Sequence, residues 1–560
     1  MARNDRGGFM KGAAILSAST LVVKALGLLF SIPLANFISA EGMSYFYGAY
    51  DIFTIFLVLS TAGLPIAVSR MVGTAQAMGR RREADQVFSV AFWLFFGIGV
   101  TGFLVMLLGS ERISLLLGKP GAAGTIAALA PTVFFLSITS ALRGYFQGRS
   151  NMVPTAASQV IEAVMKVAVG TGLAYYIIST SGSDASAAVG AITGVSVSSG
   201  LGMLYLVFCK LRQRRKDRAL PEDGSAVSSR RDMLSALLRF AVPITLGACF
   251  LSILDFVDSA VLMDRMKAAA GFTQSQADWY SGVLGNARKF FDLPGAFVVP
   301  ISTSLLPVLS GAIVSGDRPQ VRHISSMSMR MTLLISIPAS VGMSVFAEPI
   351  CQLLLFSSAE VAAGTARLLQ VLSMAIAFSS TVYTTNAMLQ SFGRTTRPVI
   401  DMAVGGVVKI AVSYFLSGIP EINVMGSAVS TVASYFVIVV LNLIAVRESM
   451  PSMDSVIGTA APMLVSAGIM GAVSYGAYLA LTRFLAPRLA LIPAIAVAIA
   501  VYAVCVVLFR AVSYEDVCLL PKGEAIARLL KVKKTVRPRH MMEKTTSTRP
   551  GRGGKHMRSM

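Results

Sequence analysis

Apolar residues in this chain run in long stretches separated by short polar ones, and a stretch of about 20 apolar residues is enough to carry a helix across a bilayer. On that measure the chain holds about fourteen spanning helices, at 11–38, 46–77, 86–109, 124–147, 153–180, 186–210, 233–264, 278–313, 325–347, 362–391, 397–417, 423–446, 457–482 and 488–511. Basic residues gather in every second connection. Arg80, Arg81 and Arg82 come first, followed by Arg149, the cluster "KLRQRRKDR" with Arg230 and Arg231, then Arg318 and Arg322, then Arg394 and Arg397. The connections between hold only Arg112 and Lys119, Arg265 and Lys267, or Arg483 and Arg488. Short cytoplasmic loops concentrate Lys and Arg, so both termini are expected inside, as an even number of spans requires. The fold class expected is an all-α polytopic membrane protein.

The pattern repeats itself. "RGYFQGRSNMVPTAASQVIEAVMKV" (143–167) and "LQSFGRTTRPVIDMAVGGVVKI" (389–410) share a Gln, a Gly, a basic residue and a Pro, then a helix with an acid and a Lys. "ERISLLL" after the third stretch answers "EPICQLLL" after the ninth, and "GLPIAVS" near the end of the second resembles "VVPISTS" in the eighth. Two pseudo-symmetric six-helix lobes in parallel orientation follow, at 1–210 and 232–448. A basic cytoplasmic linker (211–231) joins them, and two extra helices (449–512) and a basic cytoplasmic tail (513–560) come after. Within the motif, Glu162 and Lys166 stand four apart and are expected to pair on one helix face, which makes the motif a structural device more than a chemical one.

Ionisable residues inside spans are costly, about 2.5–3.5 kcal/mol each near the centre, so those present must pair or line a wet cavity. In the first stretch Ser17, Thr20, Lys24, Gly27 and Ser31 recur at spacings of three and four, which puts Lys24 on a polar stripe with no partner on its own helix. Ser281, Gly285, Arg288, Asp292 and Gly295 do the same in the eighth, with Lys289 beside them, and Asp255 and Asp258 lie one turn apart in the seventh. Pseudo-two-fold symmetry brings these three helices together at the lobe interface, where a substrate path is expected. Arg288 is expected to be held by Asp292 and Asp255 when that path is empty.

Composition narrows the class further. The chain is 54% hydrophobic and 14% charged over 560 residues, with a mean hydropathy of +0.69, far from soluble globular proteins. Its net charge of +21 sits in connections and tail, the pattern of a surface that meets anionic membrane lipids. Aromatics are not interleaved with it, so no nucleic-acid partner is expected. Cys209, Cys249, Cys351, Cys505 and Cys518 show neither a disulfide framework nor metal-ligand spacing. The histidines, His323, His540 and His556, lie outside the expected spans, and no HxxxH, GxSxG or paired-carboxylate loop is present. No metal, no resident cofactor and no enzymatic activity are expected, and a monomer is.

In "ALRGYFQGRSNMVPTAASQVIEAVMKV", with "LGLLFSIPLA" and "STAGLPIAVSRMV" upstream, the chain resembles the SpoVB and MurJ branch of the polysaccharide transporters. These belong to the multidrug, oligosaccharidyl-lipid and polysaccharide exporter superfamily. The resemblance covers roughly Met10 to Arg510. It implies a multi-pass protein of the bacterial cell membrane and two extra helices that form a groove for a lipid tail. It also implies flipping of an undecaprenyl-pyrophosphate-linked precursor, typically lipid II, in peptidoglycan synthesis, cell shape or sporulation. The cavity cations of the branch match Lys24, Arg70 and Arg288 here, with Lys24 where arginines are usual. Some members bind sodium between helices seven, eleven and twelve. Asp255 suits such a site and Lys409 argues against it, so coupling to the membrane potential or to a monovalent cation is expected. The alternatives are a flippase for teichoic acid or exopolysaccharide precursors and a multidrug exporter of the same superfamily. Buried cations favour an anionic amphiphile over a cationic drug.

Overall fold

A computed structural model of the chain describes residues 2–218, 229–509 and 511, and among these all regular structure is helical. The first lobe contains α1 (Ala2–Phe37), α2 (Ala40–Thr61), α3 (Leu64–Ala77), α4 (Arg81–Leu108), α5 (Ser110–Leu116), α6 (Ala123–Gly148), α7 (Val153–Met165), α8 (Gly172–Ser181) and α9 (Asp184–Arg218). The second contains α10 (Arg230–Ala268), α11 (Gln274–Phe291), α12 (Gly295–Val314), α13 (Arg318–Val345), α14 (Ala347–Leu354), α15 (Ala359–Ser391), α16 (Thr396–Leu416) and α17 (Met425–Ser449). Two more, α18 (Val456–Leu481) and α19 (Pro487–Leu508), pack against α13 and α14. Among the described residues, 13 helical stretches are long and apolar enough to cross a membrane. All coincide with expected spans, and the remaining expected span, 233–264, is the 39-residue α10.

Caps explain where several helices begin. Ser39, Asp317, Ser358 and Ser455 each accept a hydrogen bond from the backbone N–H three residues on, and Thr273 with Gln276 forms a reciprocal capping box at α11. Lipid gives helices no hydrophobic reason to associate, so small polar residues do much of the fastening. Ser60 meets Ser137 at 2.8 Å and Thr132 meets Ser196 at 2.7 Å in the first lobe. In the second, Thr384 bridges Thr332 at 2.6 Å and Ser302 at 3.2 Å.

Two expected spans are broken rather than continuous. The second divides into α2 and α3 at Gly63 and Pro65, and the eighth into α11 and α12 at Pro294. Proline lacks the N–H that a continuing helix would need. Gly63 also lets the Ala241 carbonyl approach where a Cβ would collide, and its N–H donates to Thr245 Oγ1 at 3.3 Å. The proline of "VVPISTS" therefore lies six residues beyond the position that answers the one in "GLPIAVS". Pro300 lies inside α12, and the break that answers Pro65 is at Pro294.

The repeated motif has a matching structural role in each lobe. Arg149, at the end of α6, bonds Asp217 at 2.8 Å near the end of α9, and Arg394, just past α15, bonds Glu448 at 2.8 Å near the end of α17. Residues 211–218, expected in a linker, continue α9 and thereby present Asp217. The tail expected at 513–560 and residues 219–228 of the linker lie outside the described residues.

One end of the lobe junction is closed. Tyr45 Oη donates to Asp278 Oδ2 at 3.2 Å, and Tyr47 Oη donates to Asn286 Oδ1 at 2.9 Å. The Gly118 carbonyl accepts from Lys267 Nζ at 3.2 Å and from Gln274 Nε2 at 2.9 Å. A Cβ at Gly282 would strike the Ala40 carbonyl, and one at Gly285 the Tyr47 ring. Helices α2 and α11 thus cross at backbone contact because both positions are bare.

Candidate functional site

Beside this closure lies a cavity of about 330 Å³ whose charged lining residues are Asp51, Asp255, Arg288, Asp292 and Lys409. The break at Pro294 ends α11 at Asp292 and leaves that side chain exposed at the cavity wall. Arg288 Nη2 donates to Asp258 Oδ2 at 3.2 Å and to Ser427 Oγ at 3.0 Å. Lys409 Nζ donates to Asp255 Oδ1 at 2.7 Å and stands 3.4 Å from Asp258 Oδ2. Asp258 is fully buried between the two cations, whereas the Asp255 side chain is 66% exposed. Asp51 on α2 accepts from Ser259 Oγ at 2.7 Å, tying the first lobe to this network. The Asp258 carboxylate therefore shares its charge between two cations, one of which is the phosphate-gripping type with a planar pair of donors.

A second group of cations faces the same junction. Lys166 lies within electrostatic range of Lys289, Glu162 and Lys24 of α1, and Lys24 and Lys289 both reach Asp292. Lys289 Nζ stands 5.8 and 5.7 Å from the ring centres of Tyr47 and Tyr50, and Lys166 Nζ 5.1 Å from that of Phe30. Such ring faces hold an ammonium group without neutralising it. Lys166 opens a wide π turn, Lys166–Thr171, at the place where Gly170 packs on Phe30 and against Gly194 of α9. Inserted turns of this kind recur at functional sites because they re-aim side chains.

The structure brings Asp255, Asp258, Arg288, Lys289 and Asp292 together, with Lys24 nearby. Arg70 is exposed on α3 and is not among the residues lining the cavity. Two expected pairings are different in the molecule. Arg288 is held by Asp258 and Ser427, not by Asp292 and Asp255, because Lys409 has taken Asp255. Glu162 does not pair with Lys166 but accepts from Arg143 Nη2 at 2.7 Å, and Arg143 also bonds Ser158. Arg143, in the last turns of α6, is the cation that reaches the acid. The motif's lysines therefore make no ion pair with their own helices' acids: Lys409 enters the cavity, and Lys166 stands over the Phe30 ring with Glu162, Lys24 and Lys289 in electrostatic range.

Sequence reasoning also passed over Asp51 and Lys119. Lys119 was read as a loop residue, yet it is 1% exposed and packs on Gly48 of α2, within electrostatic range of Asp51 and Asp278. Among the described residues no three His, Cys, Asp or Glu side chains come together to hold a metal ion. Between Asp255 and Asp258 the positive charge is the Lys409 ammonium itself.

Comparisons with known proteins agree with this architecture. Three Bacillus subtilis proteins align along most of the chain: the uncharacterized membrane protein YabM is 26% identical over 93% of this chain and 96% of its own length. Stage V sporulation protein B is 25% identical over 79% and 84%, and lipid II flippase MurJ 24% identical over 82% and 87%. A solved structure of lipid II flippase MurJ in an inward closed conformation superposes with a TM-score of 0.68 at 18% identity, covering 89% of this chain and 98% of that one. Residues 282–415 match the MatE family model. Residues 9–312, more than half of the sequence, match the model of the polysaccharide biosynthesis proteins, and the chain belongs to that family.

Proposed function

We propose that this protein is a flippase that moves an undecaprenyl-pyrophosphate-linked saccharide of the lipid II class from the inner to the outer leaflet. The observation that carries the reading is the group formed by Lys24, Lys166 and Lys289, three cations from both lobes near Asp292, where the other acids in range, Glu162 and Asp255, are already paired with Arg143 and Lys409. With those two acids paired, the three lysines less Asp292 leave a surplus of two, which suits a pyrophosphate diester. Arg288 adds a guanidinium that can leave Asp258 to Lys409 and grip phosphate with two parallel hydrogen bonds. A relative named as a lipid II flippase supports the same class of cargo.

The remaining parts suit this task. Closure of the junction at one end, by contacts that are all between lobes, fits rocking of one lobe against the other around a fixed site. Exposed Leu464, Leu479, Ile492 and Ile499 on α18 and α19 give a prenyl chain an apolar face to follow. With both termini in the cytoplasm, a cargo carrying about two negative charges gains roughly 4–5 kcal/mol on moving outward across 100 mV, inside negative. The potential then drives the loaded step, and the emptied lysine group, with its surplus of positive charge, is drawn back inward. The protein acts as a transporter in the cell membrane, with the lipid-linked saccharide as its partner and no resident cofactor.

Depleting the protein from cells tests the reading. A polyprenyl-pyrophosphate-linked intermediate should accumulate, detected and identified by mass spectrometry of the lipid extract. An unchanged pool of every such intermediate counts against it.

A further inference from the structure

A second polar hollow lies far from the cavity, at the opposite end of the bundle from the closed junction. It occupies about 560 Å³ between the first turns of α13 and the α17–α18 connection, and its lining includes Arg318, Arg322, His323, Arg330 and Asp454. Arg318, Arg322 and Arg330 are spaced at four and eight along α13, so one helix face carries all three. Asp454 is the acid among them, and Arg322 Nη2 holds it at 2.7 Å. That hydrogen bond keeps the Asp454 carboxyl below the usual carboxylate range. Arg318 and Arg322 less the Asp454 carboxylate leave a surplus of one positive charge, which matches a phosphodiester.

What flanks the hollow identifies its occupant. Val314, at the end of α12 and four residues before Arg318, is 89% exposed, and Ile457, three residues after Asp454 on α18, is 82% exposed. Both belong to stretches apolar enough to cross a membrane. The hollow therefore sits where the apolar faces of spanning helices stop and the basic connections begin, which is the depth of lipid headgroups. A soluble phosphate compound would have no use for the apolar flanks, whereas a phospholipid uses both.

We propose that this hollow binds the phosphate of an anionic phospholipid, whose acyl chains lie along α12 and α18. The arginines supply the charge-assisted hydrogen bonds, and Asp454 is an internal competitor that pre-positions Arg322 and sets the affinity. The site is independent of the cargo cavity, so it stands whether or not the flippase reading does.

Native mass spectrometry of the full-length protein in detergent tests it, with phosphatidylglycerol, phosphatidylcholine and inorganic phosphate titrated separately. One phosphatidylglycerol should be retained in preference to phosphatidylcholine. Arg318→Gln combined with Arg322→Gln should weaken that binding at least about tenfold, near what two surface arginines contribute. Asp454→Asn removes the competitor and should strengthen binding severalfold, a gain that misfolding cannot imitate. Equal binding by the double variant, or no gain in Asp454→Asn, overturns the proposal. Displacement of the lipid by inorganic phosphate at equal concentration overturns its lipid assignment.

Discussion

Arg288→Ala should abolish transport and also lower the melting temperature, and the two effects should separate on a second substitution. Asp258 is fully buried and loses its 3.2 Å partner in this variant, retaining Lys409 at 3.4 Å. Removing one side of a buried pair costs about 3–5 kcal/mol when nothing remains, and the second cation reduces that loss. Adding Asp258→Asn removes the uncompensated charge, so the double variant should recover stability. It should not recover transport, because the guanidinium that grips phosphate is still missing. Arg288→Lys keeps the charge without the planar pair of donors and should retain only part of the activity. Full complementation of depleted cells by the double variant would place the site elsewhere.

Lys166→Met should leave a normal amount of folded protein and lose transport by about 10–100-fold, the worth of one charge-assisted hydrogen bond to the cargo. The contrast is with its neighbours in the motif. Arg143 and Glu162 satisfy each other at 2.7 Å inside the bundle, so Arg143→Gln should reduce the amount of folded protein, with turnover per folded molecule nearly unchanged. Quantifying membrane protein beside complementation distinguishes the two. Lys166→Met protein that complements fully at low expression would return Lys166 to a packing role.

Length and hydropathy made the helices legible, because a bilayer imposes one scale on every span, and the internal echoes grouped them into lobes. The charged residues inside spans were legible for the same reason: the cost of burying them marks them out. Partner choice was not legible. Helical spacing relates residues on one helix, so it paired Glu162 with Lys166 and Arg288 with Asp292, while the actual partners, Arg143, Asp258 and Ser427, come from other helices. The break at Pro294 was hidden because Pro300, six residues on, continues a helix without ending it. Lys119 carried no signal, since a Lys beside Gly and Pro reads as a loop, and only the packing against Gly48 of α2 buries it. The π turn at Lys166 likewise has no signature in the residues that form it, and it follows from the close approach of Gly170 to Gly194.

The central claim is that the cavity carries a pyrophosphate, and vesicles reconstituted with the purified protein test it most directly. Two polyprenyl saccharides with the same sugar and chain, one pyrophosphate-linked and one joined through an uncharged ether, are followed from one leaflet to the other with and without an imposed potential. The account predicts that only the pyrophosphate-linked lipid moves, and that its rate falls when the potential is collapsed at constant pH and sodium. Equal movement of the uncharged lipid would contradict it.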